Sequence, residues 1–182
     1  MGIDSSWEDI MRSTYKYLAY AICGLVALQA AFVVYADAGL FQWIDQDGGV
    51  LDKAALNDDS LSFPGLGGFM LHGMNGMMLI PLVAIVTLVV GFLTKTKGAA
   101  ARGGLLVGLV ALQVTLGLVA HSVPAIGPLH GINAFAIFLT ALSAARLMSR
   151  QDDAATTTAP TVGKGRTIPG QPEPASSQQL QA

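Results

Sequence analysis

Four apolar runs decide what this chain can become. Tyr17 to Ala36, Phe69 to Leu93, Gly104 to His121 and Leu129 to Leu147 contain no Asp, Glu, Lys or Arg until Arg146, near the end of the last run. Each is close to the ~20 residues that a helix needs to cross a ~30 Å hydrocarbon layer. Lipid offers no hydrogen-bond partner to a backbone N–H or C=O, so such runs form helices and not open strands. The overall balance agrees: 52% of the 182 residues are hydrophobic and 12% are charged, too apolar for a domain wetted on every side. The expectation is an all-α integral membrane four-helix bundle, with the lipid bilayer as its first partner.

The placement of basic residues gives an orientation, because short cytoplasmic loops retain Lys and Arg. Arg12 and Lys16 precede the first run, Lys95, Lys97 and Arg102 fill the short link between the second and third, and Arg146, Arg150, Lys164 and Arg166 follow the fourth. The two remaining connections hold one basic residue, Lys53. A multi-pass protein of the cell membrane with both termini in the cytoplasm is expected. Residues 1–14 read as an amphipathic cytoplasmic lead-in, with Trp7 and nearby Tyr15 suited to the headgroup region. Residues 15–149 read as the transmembrane domain, with a long outer loop over 37–68 and a short surface helix around Val50 to Leu56. Residues 150–182, rich in Thr, Pro, Gln, Ser and Ala, read as a disordered cytoplasmic tail. The A-x-A pattern in "YADAG" (Tyr35 to Gly39) invites a signal-peptide reading, but the apolar run before it is longer than a signal core and helix one belongs to a matched pair. The single cysteine, Cys23, has no disulfide partner in the chain.

That matched pair comes from a repeat. "GLVALQ" occurs at Gly24 to Gln29 and again at Gly108 to Gln113, and each copy is succeeded by a His-Gly-x-Asn segment, "LHGMN" at Leu71 to Asn75 and "LHGIN" at Leu129 to Asn133. Helix one then matches helix three and helix two matches helix four, with a longer connection in the first half. Matching helices run in the same direction. The expectation is two tandem helix-hairpin repeats related by a pseudo-twofold axis along the membrane normal.

The repeat places His72 and His130 in the first turns of two helices that start at the same face. His121, at the end of helix three, lies at the same level. Ionisable residues at this depth need a partner, which makes them candidates for function; the bland alternative is polar packing, which duplication would copy just as faithfully. Helix N-termini disfavour imidazolium and favour the neutral ring, the form that ligates metal. Two opposed neutral imidazoles suit the axial positions of a b-type haem. The minor alternative is a zinc site of His72, His121 and His130; with a haem, His121 would sit beside a propionate. Asn75 and Asn133 share the histidines' helix face, either supporting the ligands or bonding across helices. Gln29 and Gln113, placed deeper, read as polar contacts between helices. The methionines around His72 (Met70, Met74, Met77, Met78) read as pocket lining or as flexible packing. No P-loop, nucleophile triad or dinucleotide fingerprint occurs, and nothing suggests nucleic acid.

The stretch "LVALQVTLGLVAHSVPAIGPLHGINAFAIFLTALSAARL" (Leu109 to Leu147) resembles the third and fourth helices of one half of the haem A synthase family, and the likeness extends over about Tyr15 to Arg146. The chain also looks like small bacterial four-helix membrane proteins of unassigned function. The resemblance implies a haem between His72 and His130 on the outer side. It does not carry the synthase chemistry across: Phe69 stands where the catalytic glutamate is expected, Gly73 replaces an arginine, the cysteine pair of the first outer loop is absent, and there is one half instead of two. No catalytic residue is therefore assigned. Electron transfer or haem handling is the function expected on this basis, with a redox or haem-handling membrane partner and a homodimer as further expectations. The competing expectation is a cofactor-free protein with a scaffold or assembly role.

Overall fold

A computed structural model describes residues 3–158, and among these there are helices and turns but no strand. The helices are α1 (Ile3–Asp45), α2 (Leu66–Leu93), α3 (Ala99–Ala120) and α4 (Gly127–Thr158). All four are long and apolar enough to cross a membrane. α1 packs on α2 and α4, and α3 packs on the same two, so the helices close a ring in which α2 and α4 face each other across the interior.

Helices of this length and apolarity are compatible with lipid, where there would be no water to expel and association would rest on packing and on hydrogen bonds made inside the bundle. The core accordingly uses small and branched residues: Ile22, Ile80, Ala84, Leu106, Val110, Ile137 and Ala141 at mid-height, and Tyr15, Ala19, Val90, Ala99, Ala144, Ala145 and Met148 toward the end where α2 meets α3. Phe92, Phe135, Leu139 and the four methionines Met70, Met74, Met77 and Met78 face outward. The methionines thus turn to the surroundings and do not line a pocket beside His72.

α1 is longer than its apolar run. Its 43 residues correspond to about 64 Å of helix, twice the hydrocarbon thickness. The lead-in expected over 1–14 is continuous with it from Ile3, and the helix passes through Asp37 to Asp45 before the long loop begins. Hydropathy falls at Asp37, but no proline or turn signal occurs until Gly48, which stops the helix in the left-handed region (φ +70°) while the Gly49 N–H returns to the Trp43 carbonyl at 3.0 Å. The projecting end is buttressed: the Trp43 ring stacks on Phe63 with centroids 5.8 Å apart, and Gly65 (φ +87°) brings the chain so close to α1 that a Cβ there would lie 2.5 Å from the Tyr35 carbonyl oxygen. The surface helix expected around Val50 to Leu56 is one 3-10 turn, Ala55–Asn57.

Tyr15 departs from the interfacial role expected of it. It is fully buried and donates its hydroxyl to the Ala99 carbonyl at 2.8 Å, joining α1 to the start of α3. A phenol inside a bundle needs a partner, and a first-turn carbonyl supplies one. Nearby, Lys95 pairs with Glu8 at 3.0 Å. α4 runs on through 150–158, the first part of the expected tail, and the rest of that tail lies outside the described residues.

α2 is not regular. Asn75–Leu79 form a π turn, in which the Ile80 N–H reaches the Asn75 carbonyl five residues back. Pro81 comes next and has no N–H to continue a regular ladder; such an interruption is the usual company of a π turn.

Candidate functional site

The histidines of α2 and α4 meet inside the ring. His72 and His130 have ring centroids 6.2 Å apart and ring planes inclined by 56°. α2 begins at Leu66, earlier than its apolar run suggests, so His72 falls in its second turn and not its first, whereas His130 is in the first turn of α4; the two approach from opposite sides of the bundle. Both are half-buried.

Each ring is held from behind by the helix that precedes its own. His72 Nδ1 lies 3.3 Å from the Gln29 carbonyl oxygen of α1, and His130 Nδ1 lies 3.1 Å from the Gln113 carbonyl oxygen of α3. A carbonyl can only accept, so in both contacts Nδ1 is the donor, and Nε2 is the ring atom not engaged by these bonds. These contacts use the glutamine backbone, whereas sequence alone points to the glutamine side chains. One turn deeper the pattern returns: Asn75 Nδ2 donates to the Leu25 carbonyl at 3.3 Å, and Asn133 Nδ2 donates to the Leu109 carbonyl at 2.9 Å. Leu25 and Leu109 hold the same place in the two copies of "GLVALQ", as do Gln29 and Gln113.

The two sides differ in their side-chain bonds. Asn133 Nδ2 also reaches Gln113 Oε1 at 2.7 Å. On the other side Gln29 Oε1 and Asn75 Oδ1 are buried without a hydrogen-bond partner. Buried acceptors left open are uncommon and costly, and the α3/α4 side differs in that Gln113 Oε1 is satisfied by Asn133. The π turn begins at Asn75 itself, and α4 has no such turn after Asn133.

Depth is set by α3. A Cβ added to Gly117 would lie 3.1 Å from His130 Cε1, so the imidazole rests on a bare stretch of backbone that only glycine provides. Gly117 precedes the end of α3 at Ala120 by three residues, about 4.5 Å of rise, placing the pair within one turn of that end. His121 caps the same end: its backbone N–H donates to the Val119 carbonyl, while the residue as a whole is exposed and its imidazole makes no hydrogen bond among the described residues. Among the described residues no three His, Cys, Asp or Glu side chains are grouped to hold a metal ion. The tri-histidine arrangement is therefore not assembled, since His121 turns outward where His72 and His130 turn in.

Sequence reasoning finds His72, His130, Asn75 and Asn133 and misses Gly117 and the π turn. Pro81 is the available signal for the turn. Gly117 has none, because its role depends on which ring lies above it. What the arrangement offers chemically is two imidazoles brought from two helices, each anchored through Nδ1 to a backbone carbonyl, with the Asn75 and Asn133 amides one turn deeper. Comparison of the chain with family models, with curated proteins and with solved structures yields no match.

Proposed function

We propose that this protein is an integral membrane protein that binds one b-type haem between His72 and His130 and serves electron transfer or haem handling. The observation that carries the reading is the pair itself. Two metal–nitrogen bonds of about 2.0 Å each, with the half-width of each ring added, require imidazole centres about 6 Å apart, and the observed separation is 6.2 Å. Each ring donates from Nδ1 to a carbonyl behind it, the usual support of a metal-bound histidine, which would leave Nε2 as the ligating atom of a neutral ring. The donor set therefore fits the group. Bound there, a haem would supply a one-electron couple; the residues' own part is to fix the ring tautomer, set ring orientation and exclude water. Resemblance to one half of the haem A synthase family supports the same reading.

The organisation proposed with it is two tandem helix hairpins about a pseudo-twofold axis along the membrane normal, with both termini cytoplasmic. The doubled "GLVALQ", the matched His–Gln and Asn–Leu bonds and the basic residues around the α2–α3 link support it. A redox or haem-handling membrane partner and a homodimer belong to the same proposal.

A second reading has a specific observation behind it. The same bonds tie α1 to α2 and α3 to α4, which is what histidine and asparagine would do in a cofactor-free scaffold. One experiment separates the two: the full chain, purified in detergent from haem-replete cells, is measured by reduced-minus-oxidised absorption. Sharp reduced-state bands of a low-spin b-type haem are expected, with loss of ligation in His72→Ala and in His130→Ala. A colourless wild-type protein would overturn the haem reading and leave the scaffold.

A further inference from the structure

The end of the bundle opposite the histidines holds a second concave feature. Arg102, in the first turn of α3, and Arg146 and Arg150, one turn apart on α4, line a groove of about 220 Å³ together with Leu139, Leu142 and Leu147. Arg102 is half-buried and donates from Nη1 to the Gly98 carbonyl at 3.2 Å, which fixes its guanidinium at the rim. Arg146 and Arg150 are exposed. Among the described residues none of the three is ion-paired.

Three guanidinium groups converging from two helices repel one another unless an anion joins them. The planar, forked donors of arginine match a phosphate in particular. A bare anion would leave the rest of the groove unused. Leu142 lies one turn and Leu139 two turns from Arg146 toward the middle of the bundle, and Leu139 is 61% exposed, so an apolar track leads from the charged rim toward the lipid. The occupant must be negatively charged at one end and hydrocarbon at the other.

We propose that this groove is a binding site for an anionic phospholipid, with the headgroup phosphate on Arg102, Arg146 and Arg150 and an acyl chain along Leu142 and Leu139. Basic pockets between membrane helices are suited to such headgroups. The site lies far from the histidines and does not depend on what they bind.

The test uses the full chain in detergent with dioleoylphosphatidylglycerol, and bound lipid is counted by native mass spectrometry. The wild type is expected to retain one phosphatidylglycerol in preference to phosphatidylcholine. Substitution of Arg102, Arg146 and Arg150 by Gln should weaken retention by about 5-fold per residue, whereas Lys97→Gln, at the same end but outside the groove, should leave it unchanged. Equal retention of the two lipids by the wild type would overturn the proposal. So would a Lys97→Gln effect as large as that of the triple variant, which would mean diffuse surface attraction. Displacement of the lipid by inorganic phosphate, at ionic strength matched with chloride, would overturn it too, in favour of a phosphate site. The lipid preference and the phosphate competition are measured on wild type and stay decisive if the triple variant does not fold.

Discussion

At the scale of single residues, the site is built from bonds to backbone carbonyls, and this sets what mutation can reveal. Gln29 and Gln113 hold the histidines through atoms that no substitution removes, so replacing either side chain by Leu should spare ring orientation. Asn133 is different. It donates to both the Leu109 carbonyl and Gln113 Oε1, and Asn133→Leu should cost roughly 1 to 2 kcal/mol at the ~0.6 kcal/mol average for such bonds in membranes with a buried acceptor left behind; unfolding in mixed micelles measures it. Asn75→Leu should cost less, because its amide makes one long bond and its Oδ1 has no partner to lose. Gly117→Val puts side-chain carbons where His130 Cε1 now rests. Its expected outcome is a folded protein with helical circular dichroism unchanged and the reduced-state bands of the proposed haem lost or shifted. The candidate ligands are legible in the sequence because a repeat with a histidine in each copy is a one-dimensional pattern. Their mutual distance is not, because it depends on how α2 and α4 face each other through the ring.

At the scale of elements, the helices are legible in their apolar middles and not at their ends. Hydropathy reports an apolar surround and says nothing of where a helix stops; α1 passes Ala36 for nine further residues, with no proline in them to break it. The π turn in α2 is the other departure, and it gives a test of cause. If the missing N–H of Pro81 sustains the turn, Pro81→Ala lets a regular ladder form and rotates the His72 end of α2 relative to Ile80. Helix content should hold while, with the proposed haem bound, ligation changes at His72 alone; an unaltered spectrum would show that packing, not proline, holds the turn. Sequence alone makes Tyr15 an interfacial aromatic because it stands near a charged lead-in, yet the lead-in is α1 itself and its inner face is core. Tyr15→Phe removes a buried bond to Ala99 and should cost about 1 kcal/mol, seen as a lower midpoint in the same unfolding assay.

For the molecule as a whole, the all-helical class and the four helices of membrane-spanning length are legible in the sequence, and the proposed orientation is testable with unusual economy. Cys23 is the only cysteine, so Cys23→Ala gives a background with no thiol. In it, Ser60→Cys on the long loop should react with an impermeant maleimide added to intact cells, and Lys97→Cys in the α2–α3 link should react only after permeabilisation. The reverse pattern would invert the proposed topology. Both probe positions are exposed, so accessibility reports side and not burial.

The unbroken course of α1 has a consequence for position. Tyr15 near one face, Gln29 behind His72, and Trp43 beyond the other face all belong to one rod with no hinge among them. The Trp43–Phe63 stack of the long loop, the Gln29–His72 contact and the Tyr15–Ala99 bond therefore all take their position from one continuous helix.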